Sequence, residues 1–234
     1  MLKGKTVLIT GAASGLGRAL AIRLAKEKVN FILSARKAED LKKVKKECSK
    51  YGVKISTMGC DLSEIKECKN LAKAAIKVFG KIDIVINNAG YFQDGDLEVL
   101  KDEEIDELLD VNLRAPMIIC REIVPSMKKR KSGMIVNIIS TSAIHVRPEQ
   151  TVYGAAKAGL LYFGNAMRDS LRPFEIKVIN VLPGGMKTNL FKNSNLPHPT
   201  DTFIEPSEVA DLIVRAIDTS DASEVGELII NRMS

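Results

Sequence analysis

Tyr153 and Lys157 stand four residues apart in TVYGAAKAG. At i and i+4 they share one face of the helix that this stretch opens. Of the four tyrosines, at 51, 91, 153 and 162, Tyr153 alone has a lysine four positions on. A nearby ammonium stabilises a phenolate and lowers the phenol's pKa from its ordinary value near 10. Such a pair can exchange a proton with a carbonyl or alcohol oxygen. Ser140 closes IVNIIS thirteen residues earlier, and a serine at a strand end beside a ligand crevice can bond the reacting oxygen. Its neighbours Thr141 and Ser142 compete for that assignment on composition alone. Asn112, in LLDVNLRAP, sits inside a helical pattern where asparagine is mildly unfavourable. Taken by itself it reads as a solvent-facing or capping residue.

A second group of residues suits phosphate. The run TGAASGLG at 10–17 joins an apolar strand pattern to the helical RALAIRLAKE. Gly11, Gly15 and Gly17 permit a tight turn and a close backbone approach. The helix start then presents free N–H groups and a partial positive charge to a phosphate. The spacing is G-x-x-x-G-x-G, not the widespread G-x-G-x-x-G of dinucleotide folds. NAD sites usually place an acid after the second strand, but here that strand ends Leu33-Ser34-Ala35-Arg36-Lys37. Arg36 can instead pair with a 2′-phosphate through charge and its planar donor fork, which points to NADP(H) over NAD(H). The competing reading is a solvated surface arginine.

The elements that must position these groups alternate along the chain. Short Val- and Ile-rich runs predict strands at 5–10, 30–35, 54–58, 82–87, 134–140, 176–181 and 227–230. Their consecutive apolar positions suit strands covered on both faces. Helical patterns lie between them near 15–28, 38–51, 63–79, 102–130, 152–172 and 206–219. Such alternation predicts one α/β domain with a parallel sheet of about seven strands and helices on both faces. No linker, repeat or low-complexity tract divides the chain. The longest irregular segment, 184–205, holds Pro197 and Pro199 and follows the sixth strand, a position that favours a substrate lid over a disordered loop.

Composition narrows the classes. The chain has 234 residues, 45% hydrophobic and 27% charged, which is ordinary globular usage and excludes a disordered or fibrous chain. The net charge of +6 is spread over helices that also carry acids, and only 5% of residues are aromatic, so nucleic-acid binding is not expected. Cysteines at 48, 60, 68 and 120 form no CxxC pair, and two histidines complete no metal cluster. They read as isolated reduced thiols. No apolar run approaches a membrane span, and the stretch before Gly11 is too short for a secretory signal. A cytoplasmic protein is expected.

Taken together, TGAASGLG at 10–17, Asp61 in CDLS, NNAG at 87–90, Asn112, Ser140, Tyr153-x-x-x-Lys157 and Pro183-Gly184 with Thr188 resemble the short-chain dehydrogenase/reductase family. The resemblance covers about residues 4–231, and the glycine spacing sets the chain apart from the extended branch that includes sugar epimerases. It implies a doubly wound Rossmann fold and carbonyl–alcohol interconversion by hydride transfer. It also implies roles. Gly11, Gly15 and Gly17 shape the cofactor turn, with the Ser14–Leu16 backbone at the phosphates. Arg36 holds the 2′-phosphate, and Asp61 and Leu62 border the adenine. Asn88, Ala89 and Gly90 shape the floor near the ribose. Lys157 bonds the nicotinamide ribose and depresses the Tyr153 pKa. Tyr153 donates or accepts the proton, Ser140 orients the substrate oxygen, and Asn112 holds a relay water. The backbone after Pro183-Gly184, around Met186, and the Thr188 hydroxyl anchor the carboxamide. Ile139 stands where relatives often have a second serine, and Ala156 where serine is frequent; neither removes a catalytic group. The tail NRMS leaves little chain for a C-terminal cap.

The substrate is poorly marked. Leu190, Phe191 and Leu196 in the lid suggest apolar contact, whereas His145 fits a pocket wall or a surface loop equally. The basic segment from Met127 to Lys131 could dock an acidic carrier, as in 3-oxoacyl carrier-protein reductases of the same family, although a solvated helix end explains it more simply. The resemblance implies a homodimer or homotetramer through helices 102–130 and 152–172, and Leu160, Leu161, Tyr162 and Phe163 on the second offer more apolar surface than one sheet contact needs. A non-enzymatic NADP-binding sensor or scaffold is the alternative of a different class.

Overall fold

The apolar runs become strands because helices cover them on both sides. They are β1 (Thr6–Ile9), β2 (Asn30–Ala35), β3 (Ile55–Gly59), β4 (Ile84–Asn87), β5 (Gly133–Ile138), β6 (Ile176–Pro183) and β7 (Glu227–Ile230). All pair in parallel, in the order β3-β2-β1-β4-β5-β6-β7. Among the described residues the α-helices are α1 (Gly15–Lys26), α2 (Lys42–Ser49), α3 (Ile65–Phe79), α4 (Asp102–Leu109), α5 (Ala115–Arg130), α6 (Thr151–Leu171) and α7 (Pro206–Ile217). The computed structural model describes residues 2–198, 200–220 and 222–233; Met1, Pro199, Asp221 and Ser234 lie outside it. The result is the single doubly wound α/β domain that the alternation predicts.

Side-chain alternation divides the interior in two. Val7, Ile9, Phe31 and Leu33 point to one face and pack against Leu20, Leu24 and Ile213. Leu8, Ile32, Val85 and Ile135 point to the other and meet Leu71, Ile119 and Ile123. All are 3% exposed or less, and each such side chain contributes about 1.5–3 kcal/mol by leaving water. Among these apolar positions runs a row of buried asparagines. Asn87, Asn137 and Asn180 are register partners on β4, β5 and β6. Asn87 Nδ2 donates to Asn137 Oδ1 at 2.9 Å, Asn137 Nδ2 to Asn180 Oδ1 at 3.1 Å, and Asn180 Nδ2 to Asn165 Oδ1 on α6 at 2.9 Å. A slip of one residue would turn these amides to the opposite face, so the row locks the register of the strands that carry the crevice. Gly164 lets α6 come this close, since a Cβ there would lie 2.1 Å from Asn180 Oδ1.

Three elements depart from the sequence reading. The expected helix over 102–130 is interrupted at Asp110–Arg114 by a π-helical turn. Pro116 has no N–H for the Asn112 carbonyl, and Asn112 Nδ2 bonds the Leu108 carbonyl at 2.9 Å. The expected helix over 38–51 opens as a 3₁₀ turn, Ala38–Leu41, before α2. The sixth strand runs on to Pro183, which pairs with Ile230, and the Gly184 N–H then bonds the Ile230 carbonyl at 2.8 Å. Among the described residues no helix is long and apolar enough to cross a membrane.

Candidate active site

The sheet order reverses direction between β1 and β4, and ligands of open α/β sheets bind outside the carboxyl ends of the strands at such a point. A cleft of about 750 Å³ opens there. From the β1–α1 turn, Gly11, Ser14, Gly15 and Leu16 line it; from the end of β4, Asn88, Ala89 and Gly90. Ser140 and, from α6, Tyr153 and Lys157 form its inner wall. Pro183 at the end of β6, and Gly184, Met186 and Thr188 beyond it, face them.

The glycine turn is tightly held. Gly11 adopts φ +63°, and a Cβ on it would lie 2.8 Å from Ala89 Cα. Gly17 does not line the cleft; a Cβ there would lie 2.3 Å from the Gly11 carbonyl oxygen, so its role is to let α1 approach the turn. Asn88 Nδ2 donates to the Thr10 and Gly11 carbonyls at 2.8 and 3.2 Å, tying the turn to β4. The first turn of α1 carries no acidic side chain, and Ser14 makes no side-chain capping bond. Its N–H groups and positive end therefore face the cleft without a competing anion, which is the chemistry a pyrophosphate requires.

The chemical end of the cleft is dry. Tyr153 is 5% exposed and Lys157 3%. Lys157 Nζ donates to the Ile138 carbonyl at 3.0 Å and sits 5.7 Å from the centre of the Tyr153 ring. The expected lowering of the Tyr153 pKa does not hold here. Burial pushes the phenol up to about 12, against a smaller opposing effect of its bond with Ser140. Burial likewise pulls Lys157 down to about 7. Both groups are driven toward their neutral forms because burial strips solvation from the charged forms. Ser140 Oγ accepts from the Ser142 N–H at 3.1 Å, and Ser142 Oγ donates to Gln150 Oε1 at 2.7 Å, so Ser142 and Gln150 hold Ser140 in place.

Asn112 is neither solvent-facing nor a cap. It is fully buried, and its Nδ2 donates to the Tyr91 carbonyl at 2.7 Å. Its Oδ1 has no partner. A Cβ on Gly90 would lie 3.2 Å from that oxygen and 3.8 Å from Lys157 Nζ. The side-chain-free Gly90 thus leaves space between an unsatisfied acceptor and the ammonium, which suits a water or a ligand hydroxyl.

The other predicted cofactor residues lie beyond the cleft. Arg36 Nη2 contacts Glu107 Oε1 on α4 at 2.5 Å, and its Nε lies 3.6 Å from Asp61 Oδ2. Asp61 Oδ1 accepts from the Ser63 N–H and Oγ at 3.0 and 2.8 Å; burial raises its pKa, but these bonds and Arg36 outweigh it and hold the carboxyl below its usual range. Leu62 packs against the second core.

Sequence reading named Leu190 and Phe191 of the apolar wall but missed Phe92 and Phe203. Phe92 meets the Tyr153 ring edge-on at 4.9 Å and the Phe191 ring at 4.9 Å, and Phe191 reaches Phe203 at 5.3 Å. It also missed what holds the lid. Asp94, fully buried, accepts from Ser194 Oγ at 2.7 Å and the Asn195 N–H at 2.8 Å, and its Oδ2 lies 2.9 Å from His198 Nε2. No local signal marks partners about a hundred residues apart. Leu196 is 42% exposed and His145 is exposed at the cleft rim. The basic segment, Met127 to Lys131, is the last turn of α5 and its cap, just before the start of β5 and so at the end of the sheet opposite the cleft; within it Arg130 bonds the Ile82 carbonyl and Lys128 lies over the Phe174 ring. Leu160 is buried, Leu161 and Phe163 are half-buried against its cluster, and Tyr162 is 79% exposed. All four cysteines are buried free thiols, and the described residues hold no cluster of metal ligands.

A glycine turn without competing acid, set across from a buried tyrosine–lysine pair, defines a dinucleotide-binding oxidoreductase of the α/β class. Comparison with known proteins narrows this. The family described as short chain dehydrogenase matches residues 5–198. The chain is 31% identical to 3-oxoacyl-[acyl-carrier-protein] reductase FabG of Thermotoga maritima, over 97% of this chain and 96% of that one. A metagenomic short-chain oxidoreductase solved in complex with NADP superposes with a TM-score of 0.86 at 29% identity, covering 100% and 99% of the two chains. The alcohol dehydrogenase of the archaeon Thermococcus sibiricus, complexed with 5-hydroxy-NADP, shares the fold with a TM-score of 0.91 at 24% identity, over 99% and 97%. The chain belongs to the short-chain dehydrogenase/reductase family: it is an NAD(P)-binding oxidoreductase acting on small molecules.

Proposed function

We propose that the protein is an NADP(H)-dependent oxidoreductase that interconverts a carbonyl and an alcohol, with Tyr153 as general acid and base. The observation that carries this reading is the single cleft with the glycine turn at one end and Ser140, Tyr153 and Lys157 at the other. The Ser14–Leu16 backbone would hold the pyrophosphate, with Gly11, Gly15 and Gly17 giving it room. Asn88, Ala89 and Gly90 would floor the ribose, and Pro183, Gly184, Met186 and Thr188 would hold the carboxamide. Arg36 would hold the 2′-phosphate, with Asp61 and Leu62 beside the adenine. A bound nicotinamide nucleotide supplies or accepts the hydride.

The chain's own groups do the rest. In reduction the Tyr153 hydroxyl gives its proton to the carbonyl oxygen, which becomes the alcohol. Burial keeps the phenol protonated before the proton is given up. Ser140 donates a hydrogen bond to the same oxygen and stabilises its developing charge. Lys157, in its ammonium form, stabilises the phenolate left behind and returns a proton to it. Asn112 Oδ1 holds the water that reloads Lys157, across the space that Gly90 leaves open. Phe92, Leu190, Phe191 and Phe203 admit an apolar group next to the carbonyl. In this reading residues 1–234 form one catalytic domain, with 184–205 as its substrate lid.

A second reading, reduction of a 3-oxoacyl thioester on a carrier protein, is favoured by the 31% identity to the Thermotoga maritima reductase. The basic segment gives it little support within one subunit, since it sits a strand's length, about 20 Å, from the cleft. We further propose a homo-oligomer through α4, α5 and α6, where Tyr162 and Leu109 stand exposed. A cytoplasmic setting suits four reduced thiols.

The test is consumption of NADPH and NADH against ketones, aldehydes, quinones and 3-oxoacyl thioesters. Turnover with NADPH is expected, and the best substrate separates the two readings. A preference for NADH contradicts the cofactor assignment, and failure of every substrate with either nucleotide favours a non-enzymatic sensor.

A further inference from the structure

The cleft reaches from the glycine turn to Tyr153 but stops short of Arg36, Asp61 and Leu62. At that end the cation is already engaged. Arg36 leaves the end of β2, and Glu107 comes from α4 beyond β4; their contact spans the strand ends between. Asp61 flanks Arg36 on the other side, and the Tyr91 hydroxyl lies within electrostatic range of both Arg36 and Glu107. Of these groups only Arg36 is cationic, and it faces two carboxylates; Lys37 beside it is exposed. A phosphate monoester carries close to two negative charges at neutral pH. It cannot share Arg36 with Glu107 without strong like-charge repulsion. The Arg36 side chain is 61% exposed and so loosely packed, whereas the Glu107 side chain is 28% exposed on a helix.

We propose that Glu107 is a specificity-determining residue of the cofactor subsite: it pairs with Arg36, and a 2′-phosphate must take Arg36 from it. Affinity for a 2′-phosphorylated nucleotide is then set by an exchange of ion-pair partners. A nucleotide with a free 2′-hydroxyl makes no such demand. The inference rests on the NADP(H) reading.

The experiment is calorimetric titration of the full chain with 2′,5′-ADP and with 5′-AMP, at low ionic strength, for wild type, Glu107→Gln and Glu107→Asp. Wild type is expected to prefer 2′,5′-ADP. Glu107→Gln should bind 2′,5′-ADP about fivefold more tightly, the factor for an exposed ion pair worth about 1 kcal/mol. Its affinity for 5′-AMP should stay at the wild-type value, and Glu107→Asp, which keeps the charge, should resemble wild type with both ligands. Unchanged 2′,5′-ADP affinity in Glu107→Gln, with wild type still preferring it, overturns the inference and leaves the NADP(H) reading standing. Equal changes for both ligands reduce Glu107 to a structural role and also overturn it. Equal binding of both ligands by wild type removes the NADP(H) reading and this inference with it.

Discussion

The two ends of the crevice control charge by opposite means. At the Tyr153 end, burial acts: two ionisable groups lie in a dry wall and both are pushed toward neutrality. At the Arg36 end solvent is near, and the cation is balanced by the neighbouring carboxylates Glu107 and Asp61. The difference follows from distance to water. Desolvation shifts a pKa by several units where little solvent enters, while an exposed ion pair is worth about 1 kcal/mol or less. The first end can therefore poise chemistry, and the second can only select a ligand.

The sharpest way to break this comparison is at Lys157. Lys157→Met should lower turnover about 10³-fold, the range of a lost acid–base partner. It should also raise stability, in a defined pH window. The folded-state pKa of Lys157, about 7, lies below its ordinary 10.5. The folded chain therefore disfavours the ammonium: the cost is present in full below about pH 7 and vanishes as pH rises through 10.5. Thermal and urea unfolding at pH 6 should show the variant about 2–5 kcal/mol more stable, with no gain at pH 10.5. A variant less stable at pH 6 would show that burial does not dominate this end.

Asp94 tests whether the lid belongs to the dry end. Asp94→Asn keeps the shape but removes the charge and one of the two acceptor oxygens that Ser194, Asn195 and His198 share. An unsatisfied buried group of this kind costs about 1–3 kcal/mol. KM for a carbonyl substrate should rise about tenfold and protease cutting within 184–205 should speed up, while NADPH affinity changes little. Unaltered KM and proteolysis would separate the lid from the site.

At the open end the effects should be smaller and screened. Arg36→Ala should weaken 2′,5′-ADP about tenfold at low salt and less at 0.5 M salt, where exposed charges are screened within a few ångströms. A salt-independent loss would mean that this end is not governed by exposed charge.

How much of this was legible in sequence follows the same divide between local and distant. The strand–helix alternation, the glycine turn and the Tyr153–Lys157 spacing are local patterns, and the fold and the inner wall follow from them. Asn112 was seen as out of place in a helix, but its π turn depends on Pro116 and on the Tyr91 carbonyl, 21 residues away. The asparagine row was invisible until register put Asn87, Asn137 and Asn180 side by side. Asp94 and Glu107 find their partners 100 and 71 residues away, and no periodicity marks such pairs. The direction of the Tyr153 shift was misread because residue type shows the neighbouring ammonium but not the loss of water around it.

The most direct test of the whole account separates binding from chemistry in one variant. Tyr153→Phe removes the hydroxyl and leaves the Arg36 end and the glycine turn untouched. NADPH affinity and reductive turnover should be measured side by side with the best carbonyl substrate. The account predicts affinity within about twofold of wild type and turnover at least 10³-fold lower, the scale of a lost general acid. Turnover that survives the substitution, or NADPH binding lost along with it, would contradict the division of the crevice into a ligand-selecting end and a proton-transferring end.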